Sequence, residues 1–494
     1  MKHRHRLGIA VVLSLAFLSF GCEGDQGPEG PEGPEGPEGP PGTGVSPYSY
    51  QGDFGEPCQH CHANTVENVL LTGHTEAYED LSADSRTNLY CLQCHTTGFD
   101  SQVEFGDTEI APENRGPDIY GYDDYYGVDT EEAAERRAAL EGVQCESCHG
   151  PMGPDFNAHQ PLVSFSTHFS NDGEPTSLCF PCHRTQIEEW VESTHAKAGS
   201  ADCPAGDTDC QVEALTDEWG RSSCDYCHSS EGYIRTHDPR YLTYEFPEEI
   251  TMIGCPTCHD PHQGEAGGGN YAQLRDVTAE EVQYTYPYEP GDAEVPRMAG
   301  YGPAQTCAQC HHARRNTANV QGQIEDGYSH FGPHPSPQMD MFIGAGSYQI
   351  PGYTYDGIHS HQSIPNGCVK CHMVRETELH GEITEHAFHT WEPTGGNCEP
   401  CHTGLTDFDV DGKQTEIRGK INQIAVLLGY ADTADFVANF ENDSLDPLMP
   451  VWQREVAYAA IFVYEDRSSG VHNYTYASSL LDNAIAYAAT FVGP

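Results

Sequence analysis

Residues 255–262 read CPTCHDPH: two cysteines three apart, a histidine directly after the second, and another histidine three residues on. The first five of these residues form one of nine C-x-x-C-H motifs in the 494-residue chain. The nine are Cys58, Cys61 and His62; Cys91, Cys94 and His95; Cys145, Cys148 and His149; Cys179, Cys182 and His183; Cys224, Cys227 and His228; Cys255, Cys258 and His259; Cys307, Cys310 and His311; Cys368, Cys371 and His372; and Cys398, Cys401 and His402. Two thiols so spaced, followed at once by an imidazole, are what covalent c-type haem attachment requires. The thiols add to the vinyl groups as thioethers, and the histidine takes an axial position on the iron. Zinc ribbons also use C-x-x-C pairs but need no histidine after each one. Redox dithiols of the thioredoxin kind need a βαβ setting that this sequence lacks. Histidine makes up about one residue in twenty, so nine of nine is not coincidence.

Nine haems call for nine further axial ligands. Of 27 histidines, nine close the motifs and two lie in the first six residues, which leaves sixteen. His262 follows His259 by three residues, too few to carry it around a porphyrin to the opposite face. It is therefore expected on the iron of a neighbouring haem, and the haems must pack closely enough to share ligands. His74 and His195 each fall twelve residues after a motif histidine, on similar helical stretches. His237 in RTHDPR and His472 in GVHN are further candidates. His60, inside its own motif loop, and His312, directly after a motif histidine, are set aside. With every position filled, all nine irons would be six-coordinate with two histidines each.

The elements that position these groups are short and interrupted. Apolar spacing predicts helices over 65–81, 130–140 and 185–198, separated by Gly/Pro-rich loops such as GEAGGGN and FGPHPSPQ. Beyond residue 405 the texture changes. KQTEIRGKINQIAVLLGY, VWQREVAYAAIFVYE and TYASSLLDNAIAYAATF carry helical periodicity without cysteine, predicting a helical subdomain over 406–494. In DFDVDGKQTE, Asp407, Asp409 and Asp411 match the first half of a calcium loop, although the twelfth position holds Arg418; the alternative is an acidic turn before a helix.

Residues 1–21 have a basic start and an apolar run, the layout of an export signal, followed by Cys22 as a candidate lipidation site. Residues 24–42 carry glycine at every third position, which suits either a collagen-like triple helix or a stiff single-chain stalk; the stalk region spans 22–47. Cys203 and Cys210 lack a following histidine, which fits a disulfide or a second metal site. Lys and Arg total 23 against 76 Asp and Glu, a formal charge of −53. Such acidity excludes nucleic acid as a partner, because phosphate binding needs a basic footprint.

Taken with CESCHGPMGPDFNAH, CHDPH, GPHPSPQMDM and CVKCHMV followed by HAFH, the nine motifs resemble the multihaem c-type cytochromes, including hydroxylamine-oxidoreductase-like and outer-surface proteins. The resemblance implies that His159, His334, His361 and His386 are also iron ligands. It implies a mainly α fold with extensive loops, built around stacked haems over 48–405. The expected function is electron transfer at the cell envelope or surface, with other cytochromes or extracellular acceptors as partners and the membrane reached through a lipid anchor only. Oligomers or filaments are compatible with this. The alternative is an oxidoreductase acting on small nitrogen or sulfur compounds at one open haem. No C-x-x-C-K motif is present, whereas 27 tyrosines leave a tyrosine crosslink open.

Overall fold

The structure is a computed structural model. It describes residues 49–115, 120–153, 168–169, 175–197, 225–238, 240, 251–264, 271–276, 298, 300–328, 331–379, 382–405, 407–441 and 448–492. Cys22, the Gly-X-Y run, His159, Cys203, Cys210 and Cys224 lie outside these residues. All described residues belong to one compact unit, Ser46–Pro494.

Among the described residues the fold is mainly helical, with two short antiparallel strand pairs. Helix α1 (Glu56–Val69) contains the first motif and is kinked at His62 (φ −119°, ψ 38°). Helix α2 (Leu89–His95) ends on the second motif, with the Asn88 side chain accepting from Tyr90 N at its start. Helix α3 (Glu131–Ala139) is capped by Thr130, whose hydroxyl accepts from Ala133 N at 3.2 Å; such a cap contributes about 1 kcal/mol. Helix α4 (Cys145–His149) is the third motif itself. Helix α5 (Arg184–Glu192) follows the fourth, and α6 (Ser230–His237) follows the fifth.

Two expected helices are shorter than the apolar spacing suggests. The chain predicted helical over 65–81 leaves α1 after Val69 and resumes only as a single turn, Gly73–Glu76, because Thr72 is extended. The 185–198 stretch stops at Glu192, where the Ser193 hydroxyl donates to Trp190 O at 2.6 Å, and a short 3-10 turn then carries His195.

The largest apolar core among the described residues contains no motif residue. It joins α7 (Thr317–Asp326) and neighbouring residues Phe331, Met341 and Ile350 to four C-terminal helices. These are α8 (Lys413–Leu427), α9 (Thr433–Glu441), α10 (Val451–Glu465) and α11 (Tyr474–Val492). Ile417, Ile421 and Ile424 recur at helical spacing on α8, and Val456, Tyr458, Ile461 and Phe462 of α10 are fully buried against them. The motif-bearing region has only small clusters, such as Leu89, Leu92, Tyr122 and Leu140. A polypeptide this thinly provided with aliphatic side chains leaves room for apolar groups that are not protein.

Candidate functional site

Among the described residues, four motifs close as a single helical turn. The His N–H donates to the carbonyl of the first cysteine four residues back, at 3.0 Å for His183, 2.9 Å for His259 and His311, and 2.8 Å for His402. A turn of helix sets residues i and i+3 on one face, so both thiols point the same way with the imidazole beside them. None of the described cysteines is joined to another.

The histidines of different motifs do not sit alone. Seven motif histidines each face a second imidazole across a gap of nearly constant width. The ring centroids are 6.1 Å apart for His74–His183, 6.0 Å for His149–His262, 6.0 Å for His195–His311 and 6.0 Å for His228–His334. They are 6.3 Å apart for His259–His389, 6.2 Å for His361–His402 and 6.1 Å for His372–His472. Two metal–imidazole bonds of about 2 Å, plus the reach from each nitrogen to its ring centre, make about 6 Å. The spacing fits one metal ion between each pair.

The far side of each ring supports the same reading. His95 Nδ1 lies 2.5 Å from Ala77 O, His259 Nδ1 2.6 Å from Ala272 O, His361 Nδ1 2.6 Å from Val471 O and His372 Nδ1 2.8 Å from Trp391 O. A carbonyl only accepts, so Nδ1 carries the proton and Nε2 keeps its lone pair for a metal. Burial lowers the pKa of His195 to about 3 and that of His259 to about 4, which keeps these imidazoles neutral. His472 is the exception. Burial lowers its pKa, but the fully buried Asp466, whose Oδ1 lies 2.6 Å from Nδ1, outweighs that and raises it.

The CPTCHDPH loop shows how one short stretch serves two places. Asp260 Oδ1 accepts from His262 N at 3.0 Å, turning the chain so that His262 faces His149 while His259 faces His389. Asp260 is itself held by Arg240 and, at 3.6 Å, by Arg275; Arg275 also pairs with Asp238 at 2.8 Å.

His74, His195, His262, His334, His361 and His472 therefore each stand opposite a motif histidine. His237 does not: it stacks on Tyr233 at 4.2 Å, and its buried Nε2 has no hydrogen-bond partner among the described residues. His386 lies in the hairpin of β3 (Val374–Leu379) and β4 (Glu382–Ala387), numbered after the two-residue strands β1 (His168–Phe169) and β2 (Pro175–Thr176). Its register partner is Arg375. The residue of HAFH that meets a motif histidine is His389, held by Glu189, whose Oε2 accepts its N–H at 2.8 Å. That residue was not among the expected ligands. The signal for it was only its place in a two-histidine HAFH stretch.

At the loop expected to bind calcium through Asp407, Asp409 and Asp411, the Asp409 carboxylate already has partners. Asp409 accepts from Thr415 N and Oγ1 at 3.1 and 2.5 Å, and lies 3.6 Å from Arg418. Among the described residues no three His, Cys, Asp or Glu side chains converge to hold a metal ion on their own. The loop leads directly into α8 at Lys413.

The sequence model of the family described as cytochrome c554 and c-prime matches residues 57–116, 120–150 and 178–260, a span that takes in the first six motifs. Over these residues the chain is similar to that multihaem c-type cytochrome family. It is 24% identical over 130 residues to the multiheme cytochrome MtrA of Shewanella baltica, which covers 26% of this chain and 38% of that protein. The chain thus spans under two fifths of that curated relative's length. Among solved structures it is similar to the outer cell wall cytochrome OcwA (TM-score 0.46, 18% identity, 89% of this chain and 99% of that one). A second is the octaheme sulfite reductase MccA of Wolinella succinogenes (TM-score 0.26, 16% identity, 72% and 54%). Among the described residues no helix is long and apolar enough to cross a membrane.

Proposed function

We propose that the chain carries nine covalent c-type haems and works as an electron-transfer conduit at the cell envelope or surface, with other cytochromes or extracellular acceptors as partners. The observation that carries this is the set of seven facing histidine pairs, 6.0–6.3 Å between centroids. When bound, the haems supply one-electron chemistry. The chain's own residues do the rest. Eighteen motif cysteines would anchor the haems, and the seven facing imidazole pairs would hold iron between them, which favours electron exchange over substrate binding. Backbone carbonyls fix the tautomers. About 345 residues from Cys58 to His402 hold the nine motifs, roughly 38 residues each, too few to insulate the cofactors from one another.

Lipidation at Cys22 and a stalk over 22–47 would hold the haem-bearing region away from a membrane. Cys22→Ser should then release the protein from the membrane fraction with haem content unchanged. A wild-type protein that is already soluble would refute the anchor. For the conduit itself, a pyridine haemochrome count combined with redox titration is the test. Nine haems per chain titrating over a broad potential range is the expected result; seven or fewer on fully matured protein would overturn it.

A further inference from the structure

Trp391 touches three of the facing histidine pairs at once. Its indole meets the His195 ring edge-on, with centroids 4.5 Å apart and planes at 79°, and meets the His389 ring at 5.5 Å and 82°. Both are favourable edge-to-face aromatic contacts. His195 faces His311 of the seventh motif, and His389 faces His259 of the sixth. The backbone carbonyl of Trp391 serves a third pair. It accepts from Nδ1 of His372, the eighth motif's histidine, which faces His472.

The backbone at Trp391 is left-handed (φ 53°), where a bulky side chain is strained and glycine is at ease. Such outliers persist where their surroundings hold them, and they gather at functional sites. Here the surroundings are Trp190, Ala196 and Met252, on which Trp391 packs. Trp190 Nε1 in turn donates to Ile253 O at 2.8 Å, two residues before the sixth motif. The manner in which the rings are held also differs along the chain. His259 and His372 rest Nδ1 on a backbone carbonyl, which fixes the ring plane. His389 Nδ1 is buried without a hydrogen bond of normal geometry among the described residues, the Glu189 carboxylate being 3.7 Å away. Packing must set its plane, and Trp391 is the ring edge-on to it.

We propose that Trp391 is a positioning residue for electron transfer, whose indole sets the ring planes of His195 and His389 and so the mutual orientation of the axial imidazoles at the seventh and sixth motifs. The inference rests on the reading that these pairs hold haem iron. Groups that orient a metal's ligands tune the metal, and the angle between two axial imidazole planes shapes the low-spin ferric spectrum and the potential. The planes are 74° apart for His195–His311 and 38° apart for His259–His389. Near-perpendicular planes give a strongly anisotropic ferric signal and parallel planes a rhombic one, so a freed His195 ring is read at the seventh haem.

The test compares Trp391→Phe, Trp391→Leu and Trp391→Gly holoproteins with wild type by electron paramagnetic resonance of the ferric state and by spectroelectrochemistry. Leucine and glycine both remove the ring. Glycine also suits the left-handed backbone, so a response shared by the two does not come from backbone strain. Both should move the signals and potentials of two of the nine haems. The eighth haem should keep its wild-type signal, because His372 bonds a backbone carbonyl that every variant retains. Phenylalanine, which restores an aromatic edge, should bring both signals back towards wild type. Wild-type spectra in fully loaded leucine and glycine variants would overturn the positioning role and leave the conduit standing. A change spread over all nine haems, or phenylalanine no better than leucine, would overturn it equally. Wild-type protein without low-spin haem at the sixth and seventh motifs would overturn the reading beneath it.

Discussion

Replacing His262 with alanine should damage a haem more than a hundred residues away in sequence and leave the haem of its own loop intact. His262 follows Cys258 and His259 closely, yet its ring faces His149 at 6.0 Å with a 16° interplanar angle. Removing it takes one of two axial imidazoles from the iron held through Cys145 and Cys148. One haem in nine, about 11% of the total, should therefore turn high-spin in the ferric protein. His259, with Nδ1 on Ala272 O and His389 opposite, should keep its iron low-spin. Electron paramagnetic resonance on the purified holoprotein measures the fraction. The origin is identified by combining changes. With Cys145→Ala and Cys148→Ala already present, His262→Ala should add no high-spin signal; with Cys255→Ala and Cys258→Ala present, it should still add one. The reverse result would refute the shared-ligand geometry.

Asp466→Asn should raise the potential of one haem, because the buried carboxylate 2.6 Å from His472 Nδ1 makes that ligand more electron-rich and favours ferric iron. A shift on the order of 60 mV, tenfold for a one-electron couple, should be visible by spectroelectrochemistry, and no shift would remove Asp466 from that role. Arg275→Ala leaves Asp238 and Asp260 buried with less compensation and should cost about 3–5 kcal/mol in denaturant unfolding, with the His149 haem loosened as well. Burial, then the neighbouring carboxylates of Asp123 and Asp124, push Asp100 up to about 7 from 3.8. Its folded pKa is above its unfolded one, so the protein binds a proton on folding between about pH 4 and 7 and loses stability as pH rises through that window. Asp100→Asn should therefore stabilise by about 1–2 kcal/mol above pH 7, after discounting for solvent screening, and not at pH 4; an equal gain at both would refute the assignment.

Much of the site is written locally. A C-x-x-C-H motif needs only one helical turn, so all nine were legible without knowing what surrounds them. The three long C-terminal helices were legible for a related reason: Ile417, Ile421 and Ile424 repeat at helical spacing and need no partner to be recognised. Which histidine meets which motif is a long-range matter. His262 could be assigned away from its own loop because three residues are too short a tether, but nothing local names His149. HAFH offers two histidines of equal chemistry, and the hairpin decides between them: His386 falls within β4, whereas His389 lies past its end, where Glu189 receives its backbone. That hairpin was itself not expected, since VRETEL and EITEHA lack the clean alternation that marks a strand. In the DFDVDG loop, Asp409 is already engaged with Thr415 and Arg418.

The facing histidine pairs are the centre of the account, and counting axial ligands in the ferric holoprotein tests them most directly. Near-infrared magnetic circular dichroism distinguishes bis-histidine iron from other ligation, and a cyanide titration shows which irons are open. At least seven haems per chain should be low-spin bis-histidine and unaltered by cyanide, matching the seven pairs. Fewer than seven would contradict the reading of these pairs as iron clamps.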